Sequence, residues 1–128
     1  MNPPIPRFAA VFSLCIAAFL AVDSHGQSGK SANYKTDEAI AYRESSDSYI
    51  SKMCVLDIHY PVGIKDFPTV VWFHGGGLTA GKRDVPDQLS KQGIAVVAVE
   101  YRLSPKVKVV DCIDDAAAAV AWTFANIK

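Results

Sequence analysis

The chain has 128 residues, half of them apolar and a fifth charged, with 13 Lys and Arg against 13 Asp and Glu. This length allows one domain at most, and the composition is too apolar for an intrinsically disordered protein. The formal net charge of zero excludes a polybasic nucleic-acid surface and a long acidic tail as the main feature of the chain, so we expect no nucleic-acid partner.

The N-terminus predicts an export signal over residues 1–26. Met1–Arg7 carries one positive side chain, and the following segment, Phe8–Val22, is uncharged. This apolar segment is short for a membrane-spanning helix, which needs about 20 apolar residues, and is typical of the central region of a signal peptide. Ser24 and Gly26 have the size and spacing of a cleavage site; an uncleaved membrane anchor is the alternative. We expect an exported protein, periplasmic or secreted, with no stable membrane span after cleavage.

The next segment, residues 27–52, predicts a flexible N-terminus of the mature chain. Gln27–Tyr34 is rich in Ser, Gly and Lys, and Tyr42–Tyr49 is polar and typical of a loop. Met53–Tyr60 then alternates apolar and polar residues. That alternation predicts a strand with one exposed face.

Two later segments, Thr69–Phe73 and Gly93–Tyr101, are almost continuously apolar and rich in β-branched residues. This pattern predicts strands that are covered on both faces. Between them, Val85 and Leu89 lie at helical spacing within Lys82–Gln92, which predicts a helix. A strand, a helix and a second buried strand predict a parallel pair joined by a right-handed crossover.

Asp111–Lys128 predicts the clearest helix of the chain. Its apolar residues step by three and four and predict one packing stripe, formed by Ile113, Ala117, Val120, Phe124 and Ile127. Asp114 and Asp115 lie at the start of this helix, where capping and the helix dipole explain them without catalysis. Because two buried strands are too few to make a covered parallel sheet, we infer that the chain is the N-terminal part of a larger α/β domain.

The segment His74-Gly75-Gly76-Gly77 follows directly after the strand Thr69–Phe73. Glycines allow backbone angles that other residues avoid, and ligands of α/β proteins bind at the carboxyl ends of parallel strands. Free backbone N–H groups there bind an anion, either a phosphate or the oxyanion of acyl transfer. The phosphate-loop and dinucleotide-binding glycine motifs are both missing from the sequence, which favours the oxyanion. A turn that binds no ligand is the remaining alternative.

A few other charged residues and cysteines could have a structural or a functional role. Glu100 and Arg102 are two residues apart in a predicted strand, so they share a face and predict an ion pair, either structural or catalytic. Cys54 and Cys112 remain after removal of the export signal, and we interpret them as two separate buried thiols. The sequence contains no Cys-x-x-Cys pair and no His cluster, so we expect no metal site.

The order of these motifs resembles the α/β-hydrolase esterases and lipases of the HGGG type, the hormone-sensitive-lipase-like carboxylesterases. The resemblance is carried by Val70–Leu78 (strand and glycine segment), Val97–Pro105 (strand followed by Tyr-Arg-Leu-Ser-Pro) and Asp111–Trp122 (Ala-rich helix). It implies an α/β-hydrolase fold, with a mostly parallel sheet flanked by helices. Residues 53–128 would be the N-terminal part of that domain, ending before the nucleophile elbow.

The resemblance also implies roles for the glycine segment. The backbone amides of Gly76 and Gly77 would donate to the oxyanion, with His74 and Gly75 supporting the loop and His74 not acting as the catalytic base. The implied activity is that of an exported serine carboxylesterase or lipase-like hydrolase, which forms an acyl-enzyme, needs no cofactor and acts on a small-molecule or carbohydrate-linked ester.

The catalytic triad of this fold has no match in the sequence. Gly-x-Ser-x-Gly is absent, as are the later acid and base of the triad. Ser90 and Ser104 lack the strand–turn–helix setting of a nucleophile, and we interpret them as ordinary polar residues; His59 has no nucleophile elbow to serve. We therefore expect the chain to be inactive alone; a non-catalytic relative of the family is the alternative.

Overall fold

The computed structural model describes residues 32–127, so the predicted export signal lies outside the described residues. The strands are β1 (Tyr34–Ala41), β2 (Val55–Pro61), β3 (Thr69–Phe73) and β4 (Ala95–Val99), and the helices are α1 (Ser48–Met53) and α2 (Val109–Asn126). Within residues 32–127, neither helix has the combination of length and apolar character that crossing a membrane requires.

The strands form one sheet in the order β1-β2-β4-β3. β3 and β4 run parallel, with Thr69 opposite Ala95 and Phe73 opposite Val99, which confirms the predicted parallel pair. The other two pairings are antiparallel, so the described part of the sheet is mixed. β4 is fully buried, as predicted, whereas β3 is only half-buried because it has a strand neighbour on one side alone within the described residues.

The prediction that residues 27–52 are flexible is wrong from Tyr34 onward. β1 pairs with β2 over most of its length. The carboxylate of Asp47 begins α1 by accepting hydrogen bonds from the amides of Tyr49 and Ile50, at 2.7 and 3.1 Å. β1 is mostly polar and lies at the edge of the described sheet, and α1 is only six residues long and buries no residue. Hydrophobic periodicity could therefore not identify them.

The helix predicted over Lys82–Gln92 is also wrong. The connection between β3 and β4 contains a hydrogen-bonded turn instead, in which the amides of Leu89 and Ser90 donate to the carbonyl of Pro86. Pro86 has no N–H of its own and disfavours the helical conformation of the residue before it. The backbone of Lys91 is left-handed, with φ of 58°, which ends the turn.

The structure contains the predicted C-terminal helix as α2, but the helix buries a different face. Its buried residues are Cys112, Asp115, Ala119 and Thr123. From the predicted apolar stripe, Ile113 is 59% exposed and Phe124 is 83% exposed. Ala119 joins Leu56 of β2 and Val97 of β4 in the core. The small side chain of Ala119 and the carboxylate of Asp115, whose ion pairs are described below, lie on this buried face.

Candidate active site

A tight loop follows the carboxyl end of β3 and begins with His74-Gly75-Gly76-Gly77. The carbonyl of Gly76 accepts hydrogen bonds from the amides of Thr79 and Ala80, both at 3.2 Å. Gly76 and Gly77 have φ of 120° and 63°, and a Cβ on Gly76 would collide with the carbonyl of Ala80. Position 76 therefore requires glycine on two grounds, a left-handed backbone and a close approach.

The amides of Gly76 and Gly77 are available to a ligand. Both residues are exposed, and within residues 32–127 neither amide donates to a backbone or side-chain acceptor. Neighbouring backbone N–H groups that have no protein acceptor can bind an anion or a developing oxyanion.

The His74 side chain is buried beneath this loop. Its Nδ1 donates to the carbonyl of Gly75 at 2.8 Å, because a carbonyl oxygen can only accept, and its Nε2 lies 2.9 Å from Oε1 of Glu100. The ring stacks on Tyr101 at 4.5 Å, and the Tyr101 hydroxyl donates to the His74 carbonyl. A Cβ on Gly81 would collide with the imidazole. Since both ring nitrogens are engaged, His74 supports the loop and has no free nitrogen for general-base catalysis.

Glu100 and Arg102 do not form the predicted ion pair with each other. The second oxygen of Glu100, Oε2, accepts from the amide of Arg83 at 3.1 Å, whereas Arg102 binds Asp115. The prediction assumed strand alternation through residue 102, but β4 ends at Val99, so the two side chains need not share a face.

Asp115 is a buried charged residue whose ion pairs the sequence analysis did not predict. Its carboxylate accepts from Nε and Nη2 of Arg102 at 2.7 and 2.8 Å, and Nε of Arg43 lies 3.1 Å away. The hydrogen bond to Asp115 raises the pKa of Arg102 above its usual range. The prediction that capping and the helix dipole explain Asp115 is therefore wrong. The capping contact belongs to Asp111, whose carboxylate accepts from the backbone amide of Lys108 at the start of α2.

Ser104 lies beside the glycine loop, whereas Ser90 and His59 lie together away from it. Ser104 uses its backbone amide to bind the carbonyl of Leu78 at 2.8 Å, which ties the segment after β4 to the loop. Ser90 Oγ lies 3.4 Å from Nε2 of His59, but His59 pairs with Val96 near the start of β4. That end of the sheet is opposite the end that carries the glycine loop.

An apolar cavity of about 270 Å³ adjoins the loop. Its walls come from β3, the loop, the segment after β4 and the start of α2, with Phe73, Leu78 and Ile113 among the lining residues. Within residues 32–127, no three His, Cys, Asp or Glu side chains lie together in an arrangement that could hold a metal ion.

The two cysteines of the described chain, Cys54 and Cys112, are free and buried, as predicted. Cys112 lies in the wall of the cavity. Burial raises the pKa of the Cys54 thiol, which keeps that side chain in its unreactive protonated form.

A family model and several known proteins match this part of the chain. The BD-FAE family model matches residues 56–128. The carboxylesterase NlhH of Mycobacterium tuberculosis is 37% identical over 76 residues, which cover 54% of this chain and 24% of the relative. The carboxylic ester hydrolase LipN of the same organism is 37% identical over 70 residues, covering 50% of this chain and 19% of the relative.

Solved structures of esterases also resemble this chain. Esterase B from Lactobacillus rhamnosis superimposes with a TM-score of 0.63 at 28% identity, covering 75% of this chain and 31% of that protein. The curated relatives and this esterase are therefore much longer than the chain, which spans about a quarter of NlhH. The structural neighbours are α/β-hydrolase esterases, and the chain matches their N-terminal portion only.

Proposed function

The chain belongs to the BD-FAE family, and from its homology to carboxylesterases we propose that it is part of an exported carboxylic-ester hydrolase. In the full-length form the reaction would proceed through a serine acyl-enzyme, and this chain would supply the oxyanion loop. The observation that carries the proposal is the pair of exposed amides of Gly76 and Gly77, which within the described residues have no protein acceptor.

The two amides would act on the transition state of ester cleavage. When a nucleophile attacks the ester carbonyl, negative charge develops on the oxygen, and N–H donors already aimed at that position stabilise it without reorganisation. Loss of one such donor typically raises the barrier by about 2.7–4 kcal/mol. His74 would contribute by holding the loop and not by moving a proton.

The remaining catalytic groups would come from elsewhere in the full-length protein. In this fold the nucleophilic serine, the acid and the histidine base follow one another in chain order after the oxyanion loop, and one further oxyanion donor is the amide after the serine. Because Gly-x-Ser-x-Gly is absent from residues 1–128, the chain alone is expected to be inactive. The alternative to this proposal is a non-catalytic α/β-hydrolase relative.

The substrate class and the location are extensions of the proposal. The predicted export signal over residues 1–26, which lies outside the described residues, supports a site of action outside the cytoplasm. The proposed substrates are small-molecule or carbohydrate-linked esters, and no cofactor is required by acyl transfer through serine.

The deciding experiment begins with the coding sequence beyond Lys128. A strand followed by Gly-x-Ser-x-Gly supports the enzyme, whereas a stop codon with no such motif supports the non-catalytic relative. The complete reading frame is then assayed with an aryl acetate and labelled with a fluorophosphonate that reacts with activated serines. Hydrolysis that is abolished in Gly76→Val and retained in Gly63→Val supports the oxyanion role.

Gly63 is a matched control for Gly76. It also has a left-handed backbone, with φ of 79°, but a Cβ there meets no atom within 4 Å. Both substitutions impose backbone strain, and only the change at Gly76 disturbs the loop. Equal rates in Gly76→Val and the unmodified protein would contradict the proposed role of the loop.

A further inference from the structure

We propose that Glu100 is a positioning residue that closes the loop 74–83 and, through His74, sets the direction of the Gly76 amide. The catalytic consequence rests on the function proposed above. The structural part, the coupling of Glu100 to the loop, stands independently of it.

Glu100 binds both ends of the loop with the two oxygens of one carboxylate. Oε1 lies 2.9 Å from Nε2 of His74 at the start of the loop, and Oε2 accepts from the amide of Arg83 at its end, at 3.1 Å. Glu100 is only 7% exposed, and a buried carboxylate is costly unless its oxygens are hydrogen-bonded. Opening the loop at either end would leave one of these oxygens without its partner.

The backbone of Glu100 is itself held firmly. Its amide donates to the carbonyl of Val55 at 2.9 Å, and its carbonyl accepts from the buried hydroxyl of Tyr42 at 2.8 Å. The carboxylate therefore extends from an anchored point beside the end of β4. A rigid origin of this kind is what a residue needs in order to define the position of a loop.

The route from Glu100 to the oxyanion donor passes through one peptide plane. His74, held by Glu100, donates from Nδ1 to the carbonyl of Gly75 at 2.8 Å. That carbonyl and the N–H of Gly76 belong to the same planar trans peptide, in which the two groups point in opposite directions. Fixing the Gly75 carbonyl on the buried imidazole therefore aims the Gly76 N–H away from it, toward the exposed side of the loop.

Substitutions of Glu100 distinguish this role by their geometry. Glu100→Ala removes both contacts. Glu100→Gln has the same length, and its amide can donate to an unprotonated Nε2 of His74 while its oxygen accepts from the Arg83 amide, so that both contacts survive. Glu100→Asp keeps the charge but is one methylene too short to span both partners. We therefore expect the loop to be best ordered with Glu or Gln at position 100, less ordered with Asp and least ordered with Ala.

The first measurement is amide hydrogen exchange of the whole chain, followed residue by residue. The amides of Thr79 and Ala80 bond to the Gly76 carbonyl and not to Glu100, so a change in their exchange reports an effect that is transmitted through the loop. We expect Glu100→Ala to raise their exchange rates by about tenfold, the effect of making local opening easier by roughly one hydrogen bond. Glu100→Gln should stay near the unmodified rates.

Two matched variants separate this effect from a general loss of stability. Glu38→Ala removes an exposed glutamate of β1, and Leu56→Val opens a small gap in the core of β2. Neither should raise the rates of Thr79 and Ala80 relative to those of the β4 amides. The proposal is wrong if Glu100→Ala leaves the loop rates unchanged, or if Leu56→Val raises them equally. If Glu100→Ala does not fold, Glu100→Asp takes its place under the same criteria.

The second measurement is the steady-state kinetics of ester hydrolysis by the protein that the complete reading frame encodes. Misdirected oxyanion donors reduce the stabilisation of the transition state and leave substrate binding unchanged. Glu100→Ala should therefore lower kcat by up to about 10²-fold with KM little changed. Glu100→Gln should restore most of kcat. A raised KM with unchanged kcat would overturn the proposed consequence. If the unmodified protein hydrolyses no ester, the proposed function fails, and hydrogen exchange still decides the role of Glu100.

Discussion

The guanidinium of Arg102 donates two hydrogen bonds, at 2.7 and 2.8 Å, to the fully buried carboxylate of Asp115. Arg102 lies in the segment after β4, and Asp115 lies in the second turn of α2. Arg43, near the start of the described chain, pairs with the same carboxylate. One buried anion thus connects three separate parts of the protein and orients α2 on the sheet.

Replacement of Asp115 should therefore destabilise the protein strongly. Asp115→Asn leaves two guanidinium groups facing a neutral amide, and loss of one partner of a buried ion pair typically costs about 3–5 kcal/mol of unfolding free energy. Asp114→Asn, on the exposed neighbour, should change that free energy by less than about 0.5 kcal/mol. Urea denaturation of both variants measures the difference. Similar midpoints for the two would show that the buried pairs contribute little.

The chain alone should not catalyse ester hydrolysis. Residues 27–128, expressed as a separate protein, are expected to hydrolyse an aryl acetate no faster than the same segment carrying Gly76→Val. The physical reason is that oxyanion donors without a nucleophile have no tetrahedral intermediate to stabilise. Initial rates at equal protein concentration test this. A rate above that of the variant would mean that a nucleophile is present within the segment.

The stability of the protein should fall below neutral pH in part through His59. Burial, and secondarily the nearby Lys91, lower the pKa of His59 from its usual 6.5. The folded state then binds fewer protons than the unfolded state between the two pKa values, so the contribution of His59 is fully present above about pH 6.5 and is lost as the pH falls through the lowered pKa.

His59→Gln provides the test of this pH dependence. The difference in unfolding free energy between the unmodified protein and the variant should be larger at pH 8 than at pH 5, because the titrations of groups common to both cancel. Denaturant unfolding at several pH values measures it. A difference that does not vary with pH would contradict the lowered pKa.

The described part of the protein should associate with itself. Val110, Ile113 and Phe124 are 56%, 59% and 83% exposed on α2, and β3 has an unpaired edge within the described residues. Exposed apolar patches and open strand edges favour association. Phe124→Lys should shift the sedimentation coefficient toward that of a monomer at a given concentration. Val62→Lys, at an exposed apolar residue outside α2, is the control and should have little effect.

Local signals in the sequence were sufficient for several features. Continuous β-branched residues identified β3 and β4, and their order along the chain identified the parallel pair. The three consecutive glycines identified the loop after β3. The predictions failed where a polar sequence forms an element by pairing, as in β1, or where one proline outweighs an apparent helical spacing, as at Pro86 in the connection between β3 and β4.

The sequence by itself determined the order of β2, β3 and β4 along the chain, the buried character of β4 and the glycine loop, because each depends on residues that are neighbours in the chain. Only the tertiary structure decided which partners the charged residues take. Glu100 meets His74, 26 residues away, and Arg102 meets Asp115 on a helix whose buried face is not its most apolar stripe. The physical reason is that a buried charge selects its position by the counter-charge available after folding, and no periodicity in the chain records that contact.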